Sequence, residues 1–230
     1  MKNTATVPTP KIENDFYDWY ERHEEKKRLV RANRYDLMFI GDSITHLFEG
    51  HPAFKSHGAA VWKEYYGKRN AINLGYGWDR TQNVLWRLMN GELENQSPKL
   101  AVLLIGTNNQ STTANATANT PAEICEGISA ITGLIKERSA QTHILVLGLL
   151  PRAARDNPFR ISIAEINSLL QRHYSGKTGY EYLDIGGHFV DDANEIIVDR
   201  MPDLTHPSES GYREWAKAIE PVVQAHVPVR

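Results

Sequence analysis

Four short polar segments carry side chains suited to acyl transfer. Gly41-Asp42-Ser43 ends an apolar run and presents a serine hydroxyl. Serine is a weak nucleophile until a neighbouring base takes its proton. His206 is the candidate base, and Asp203, three residues earlier in D-L-T-H-P, can orient it across a tight turn. A tetrahedral intermediate also needs donors for its oxyanion. The Ser43 N–H at a helix start, the Asn108 side chain in G-T-N-N (106–109) and the backbone N–H groups of Gly77 and Trp78 are the candidates. Tyr76, Trp78, Asp79 and Arg80 then form a mixed aromatic and polar rim for substrate. Asp42 and Asn109 complete the substrate-binding candidates, with Asp42 also supporting the turn before Ser43.

Each segment alone has an ordinary explanation. Gly-Asp-Ser and Gly-Thr-Asn-Asn are good turn chemistry, and Asp203 is also a suitable helix cap. Gly75 and Gly77 suggest a dinucleotide loop, but position 80 is Arg where the third glycine of that motif belongs. The order and placement of the four segments carry more weight than any one of them.

That placement follows from the elements between them. Five runs rich in leucine and β-branched residues read as buried strands: YDLMFI, NAINL, KLAVLLI, HILVLGLL and YEYLDI. Helical patterns lie between them. Thr120, Pro121 and Glu123 form a capping box with proline at the first helical position, and Ile124, Ile128, Ile131 and Ile135 make one apolar stripe. ISIAEINSLLQRHY and SGYREWAKAIEPVVQAHV share that spacing. Alternating strands and helices predict an α/β fold with a parallel sheet covered on both faces, and a site at the C-terminal strand ends. The four polar segments fall at such ends. Ahead of them, residues 1–11 read as an unfixed arm. Residues 12–33 read as a charged helix anchored by Phe16, Trp19 and Tyr20.

Composition narrows the function classes. The 230 residues are 41% hydrophobic and carry a net charge of −2, which suits one globular domain over 1–230. So mild a balance gives no electrostatic reason to expect nucleic acid or an anionic membrane. Cys125 is the only cysteine, so neither an intramolecular disulfide nor a cysteine-based zinc site can form. No H-E-x-x-H cluster occurs among the nine histidines, and no metal is expected. No signal peptide or apolar span is visible, so a cytoplasmic location is expected.

At the four blocks the sequence resembles the GDSL-like, or SGNH, hydrolase family. Within that family it is similar to the catalytic subunits of intracellular platelet-activating-factor acetylhydrolases and their bacterial relatives, above all in NVLWRLMNGELEN before the third strand. The likeness runs from about residue 36 to 222. It implies a three-layer α/β/α fold of flavodoxin type with a five-stranded parallel sheet, Ser43 as nucleophile, His206 as base, Asp203 as its orienter and Asn108 as oxyanion donor. It implies no cofactor and no metal, and is compatible with a homodimer. One departure stands out: the family's oxyanion glycine falls on Trp78, whose indole is expected to wall the acyl or leaving-group pocket. The expected activity is hydrolysis of short acyl esters, foremost O-acetyl esters of a carbohydrate or another small polar molecule. Thioesterase, lysophospholipase-like or acyltransferase chemistry with the same residues, or a non-catalytic binding role, are the alternatives.

Overall fold

The five apolar runs become five parallel strands in the computed structural model, which describes residues 3–229. They are β1 (Leu37–Gly41), β2 (Ala71–Gly75), β3 (Leu100–Leu104), β4 (His143–Leu147) and β5 (Tyr180–Leu183). Their order across the sheet is β2-β1-β3-β4-β5, the flavodoxin-type arrangement. Chain direction reverses across the sheet between β1 and β3, and the crevice at such a switch point is where ligands bind in open α/β sheets.

Seven α-helices cover the sheet among the described residues. They are α1 (Trp19–Ala32), α2 (Ser43–Glu49), α3 (Ala59–Tyr66), α4 (Thr81–Arg87), α5 (Pro121–Arg138), α6 (Pro158–Tyr174) and α7 (Glu209–His226). Alternate strand residues feed two cores, as the pleat requires. Met38, Ile40, Ala101, Leu103, Ile144 and Val146 pack toward α1, α4, α5 and α6. Leu37, Phe39, Val102, Leu104, Leu145 and Leu147 pack toward α2, α3 and α7. The α5 stripe of Ile124, Ile128, Ile131 and Ile135 is buried, and each isoleucine contributes about 1.5–3 kcal/mol. The Thr120/Glu123 capping box is formed with both reciprocal bonds. Cys125 is half-buried, and burial pushes its thiol up to about 11, so it stays protonated at neutral pH.

Two expectations for the N-terminal region fail. Residues 3–11 are not a free arm. Ala5 is buried, its carbonyl accepts from Thr81 Oγ1, Thr9 N–H donates to the Gln82 carbonyl, and Asn3 Nδ2 donates to the Glu123 carbonyl. The helix begins at Trp19 rather than near residue 12, because the Asp18 carboxylate caps it by accepting from Tyr20 and Glu21 N–H. Its buried face is Trp19, His23, Lys26 and Val30, whereas Phe16 and Tyr20 are exposed. No helix of the described residues is long and apolar enough to cross a membrane.

Candidate active site

The chain turns sharply from β1 into α2, which starts at Ser43. Asp42 is the helix N-cap, its Oδ1 accepting from Ile44 N–H at 3.0 Å. The Ser43 N–H, in the first turn, has no intrahelical acceptor and is free to bind a developing negative charge. Glycine is needed at both neighbouring strand ends for steric reasons. A Cβ on Gly75 would lie 2.2 Å from His46 N, and one on Gly41 would lie 2.3 Å from the Leu104 carbonyl oxygen. α2 therefore seats directly on the end of β2, and the Tyr212 hydroxyl of α7 holds it there by donating to the Ile44 carbonyl at 2.7 Å.

Ser43, Asp203 and His206 come together from opposite ends of the chain. Ser43 Oγ lies 2.8 Å from His206 Nε2, and His206 Nδ1 lies 2.7 Å from Asp203 Oδ2. The turn that joins acid and base is fixed by Asp203 Oδ1, which accepts from the N–H groups of both Thr205 and His206. Leu204 takes φ 61° to close it. Burial opposes ionisation of Asp203, but the donors from His206 and Thr205 outweigh it and bring the carboxyl down to about 2. An ionised carboxylate can only accept, so His206 Nδ1 carries the proton and Nε2 is left to accept from the Ser43 hydroxyl.

The loop after β2 borders the Ser43 cavity through Trp78. Asp79 N–H donates to the Tyr76 carbonyl, closing a turn with Gly77 and Trp78 at its centre. Trp78 has φ 62°, a conformation turns ordinarily give to glycine at this position. Trp78 thus holds a backbone that glycine ordinarily takes, and it is 42% exposed. Asn108, in a single 3₁₀ turn after β3, donates through Nδ2 to the Asp79 carbonyl at 3.0 Å. One amide hydrogen is thereby fixed and the other remains for a ligand.

Ser43, Trp78, Asn108, Asp203 and His206 line one cavity of about 280 Å³. Phe16, Leu47 and Phe54 add apolar walls, and Asp15 and Arg152 add charge. Larger clefts of about 740 and 770 Å³ lie elsewhere and contain none of these five residues.

The other substrate-binding candidates do not line this cavity. Tyr76 is buried, donating to Glu92 Oε1 at 2.6 Å under the Arg87 guanidinium. Asp79 is buried between Trp19 Nε1 and Arg87 Nε, at 2.8 and 2.7 Å. Arg80 turns inward to donate to the Ser111 and Thr117 carbonyls, fixing the 111–120 loop. Asn109 is buried too, accepting from Thr81 N–H and donating to Gln82 and Asn119 side chains. Each reads as a substrate contact because it is polar and within two residues of Trp78 or Asn108, but each has a buried partner that draws it inward. Asp42 points away likewise. Gly77 belongs to the loop after β2, and the Asp15 carboxylate packs against it.

Several cavity residues escaped sequence reasoning. Asp15 and Phe16 arrive from the segment before α1, and Arg152 from the loop after β4, with no motif to mark them. His46 carried a usable signal: it lies three residues after Ser43, hence on the same helix face.

Asp42 gives a pH test of this architecture. Burial pushes its carboxyl up to about 7, against the Ile44 N–H bond that favours ionisation, and its Oδ2 has no hydrogen-bond partner among the described residues. The folded protein then holds this proton more tightly than the unfolded chain, so stability falls as pH rises from about 4 to 7. Asp42→Asn keeps the capping oxygen and removes the titration. Thermal melts at pH 5 and pH 8 are expected to show the variant gaining on the wild type by roughly 2–4 kcal/mol across that interval. Parallel pH curves for the two proteins would refute the buried charge.

The sequence profile of the GDSL-like lipase/acylhydrolase family matches residues 39–214. Platelet-activating factor acetylhydrolase IB subunit alpha2 of Rattus norvegicus is 36% identical over 205 residues, which cover 89% of this chain and 83% of that protein. Among solved structures, a GDSL-like lipase from Bacteroides thetaiotaomicron superposes with a TM-score of 0.72 at 16% identity, covering 90% of this chain and 97% of the other. An acetylxylan esterase from Geobacillus stearothermophilus gives a TM-score of 0.62 at 16% identity, covering 80% and 92%. These structural likenesses concern the fold. Taken with the profile match and the acetylhydrolase identity, they place the chain in the GDSL-like lipase/acylhydrolase family, as a carboxylic ester hydrolase.

Proposed function

We propose that the protein hydrolyses short-chain acyl esters, foremost acetyl esters of a carbohydrate or another small polar alcohol, through an acyl-enzyme on Ser43. The observation that carries this reading is the Ser43–His206–Asp203 chain of hydrogen bonds opening into a cavity of only about 280 Å³. That volume is at the lower end for small-molecule sites and suits a short acyl group. The acetylhydrolase relative supports an acetyl group, since its name states that acyl class. The exposed Trp78 indole beside Asp15 and Arg152 supports a hydroxylated alcohol, offering an apolar platform flanked by polar groups.

The steps follow from the proton positions. Ser43 Oγ attacks the acyl carbon as its proton passes to His206 Nε2, and Asp203 stabilises the imidazolium. The oxyanion takes hydrogen bonds from Ser43 N–H, Asn108 Nδ2 and the backbone N–H groups at Gly77 and Trp78. Collapse breaks the ester C–O bond, and the leaving alcohol takes the proton from His206. Water then attacks the acyl-enzyme as His206 Nε2 takes its proton; the acyl C–O bond to Ser43 breaks, His206 returns that proton to Ser43 Oγ, and the carboxylic acid leaves.

p-Nitrophenyl esters of increasing chain length test the reading. A burst of nitrophenol from the acetate, absent in Ser43→Ala, is expected. The kcat/KM should fall by at least tenfold from acetyl to octanoyl, and Trp78→Gly should flatten that fall by opening the wall. A flat chain-length profile in the wild type would exclude the short-acyl assignment, and an undiminished burst in Ser43→Ala would exclude the acyl-enzyme.

A further inference from the structure

Phe16 lines the Ser43 cavity but lies outside residues 39–214, the stretch that the family profile matches. It is 40% exposed, and its ring meets those of Phe54 and His51 edge-on at 4.4 and 4.5 Å. The segment that carries it is pinned on both sides. Thr113 Oγ1 and Asn115 Nδ2 donate to the Glu13 carboxylate at 2.5 and 2.8 Å, and Asp18 is the N-cap of α1. A ring held between two fixed points and paired with a second ring is a wall rather than a loose flap.

The tetrahedral intermediate fixes which part of the substrate this wall faces. Its carbon carries four groups, and the proposed mechanism assigns three of them. Ser43 Oγ is the first, and the oxyanion turns toward Asn108 and Trp78. The leaving oxygen turns toward His206, which protonates it, so the alcohol lies on the side of the Asp203–His206 turn. The acyl carbons take the remaining direction. Of the cavity lining not yet assigned, Phe16, Leu47 and Phe54 are the apolar part, and an apolar chain is driven against apolar walls. Phe16 also stacks on His46 at 6.1 Å. His46 and His51 both line the cleft of about 770 Å³, and His46 borders the Ser43 cavity as well. Phe16 therefore stands where the small cavity adjoins the larger cleft.

We infer that Phe16 ends the acyl side of the cavity and sets the length of acyl chain that the enzyme accepts. A chain longer than the cavity must push the ring away from Phe54 and His51, and the lost contacts count against that substrate. The determinant of acyl length then comes from the N-terminal segment and not from the residues of the matched family core. This inference rests on the short-acyl reading proposed above.

The test measures kcat/KM for p-nitrophenyl acetate, butanoate and hexanoate, and for ethyl and hexyl acetate, in the wild type, Phe16→Ala, Phe16→Leu and Phe16→Trp. The burst amplitude with p-nitrophenyl acetate counts competent sites, and melting temperature reports folding. Phe16→Ala should raise the hexanoate-to-acetate ratio by about tenfold or more, Phe16→Leu should raise it by less, and Phe16→Trp should lower the butanoate-to-acetate ratio. The hexyl-to-ethyl acetate ratio, which varies the alcohol, should change by less than about twofold in each variant. If the alanine variant does not fold, Phe16→Leu, which keeps an apolar side chain, carries the test in the same direction. A preference for acetate that survives undiminished in Phe16→Ala and Phe16→Leu overturns the inference and leaves the short-acyl reading standing. A hexyl-to-ethyl ratio that moves as far as the acyl ratio overturns it too, because Phe16 would then face the alcohol. Equal activity of the wild type on all three nitrophenyl esters overturns both readings.

Discussion

Ser43→Ala and His206→Ala each lower kcat by about 10⁶-fold, and the double variant is no slower than either single one. This result is expected because the two side chains perform one act. Without His206 Nε2, 2.8 Å away, the hydroxyl has no acceptor for its proton, and without Ser43 Oγ the imidazole has no nucleophile to activate. The residual rate, about 10³–10⁴ above the uncatalysed reaction, comes from the oxyanion donors, which neither substitution touches. Asp203→Asn is the milder change at about 10⁴-fold. Its amide still fills the turn, but its NH2 opposite Nδ1 favours the tautomer with the proton on Nε2, where it blocks the base. Stability should change little in Ser43→Ala, since a small half-buried hydroxyl is lost without opening a cavity. The measurement is steady-state kinetics on the four variants with p-nitrophenyl acetate, with melting temperature as the control. Losses that multiply in the double variant would show two independent contributions, and more than 1% residual activity in Ser43→Ala would move the acyl group elsewhere.

Much of this arrangement is legible in the sequence, for identifiable reasons. The strands are visible because residues such as Val102 and Leu145 are buried in a sheet covered on both faces, which leaves continuous apolar runs. The α5 boundaries are visible because capping is a local signal, complete within Thr120 to Glu123. Ser43, Asn108 and Asp203–His206 stand out because each follows a strand or opens a turn at the expected edge. The failures have the opposite character. Thr/Pro-rich composition gives no hint that Ala5 lies against α4 and α5, since that contact depends on residues more than 70 positions away. Asp79 and Arg80 read as rim, and Asn109 as a substrate contact, because polarity defaults to the surface. Their burial requires partners, and those of Asp79, Trp19 and Arg87, are set by packing rather than by spacing. Phe16 reads as a helix anchor until the Asp18 cap shows that α1 begins beyond it.

Arg87→Met should cost about 3–5 kcal/mol at pH 8, lowering the melting temperature by roughly 10 °C. Arg87 is fully buried and pairs with two carboxylates, Asp79 at 2.7 Å and Glu92. It also lies over the Tyr76 ring at 3.8 Å and donates to the carbonyls of Leu74 and Gly41 at 3.2 and 3.4 Å. One guanidinium thereby joins the ends of β1 and β2 to the loop whose Asp79 carbonyl positions Asn108. Methionine conserves much of the volume and leaves Asp79 and Glu92 buried without a counterion, which is the expensive way to break an ion pair. The pH dependence identifies the cause. Burial resists ionisation of Glu92, but Arg87, His23 and Tyr76 together hold its carboxyl below the usual range, so it stabilises the wild type above about pH 4.5 and that stability is lost as pH falls. Burial already pushes Asp79 up to about 6 in the wild type; without Arg87 both carboxyls rise, and the variant loses stability as pH increases above about 4.5. The gap between the two proteins should therefore narrow from pH 8 to pH 5, and adding Glu92→Gln and Asp79→Asn to Arg87→Met should recover part of it at pH 8. A pH-independent gap would attribute the loss to packing alone. Because the loop moves with its support, kcat in Arg87→Met should fall further than KM rises, as expected when donors aimed at the oxyanion are displaced while the walls contacting the ground state remain.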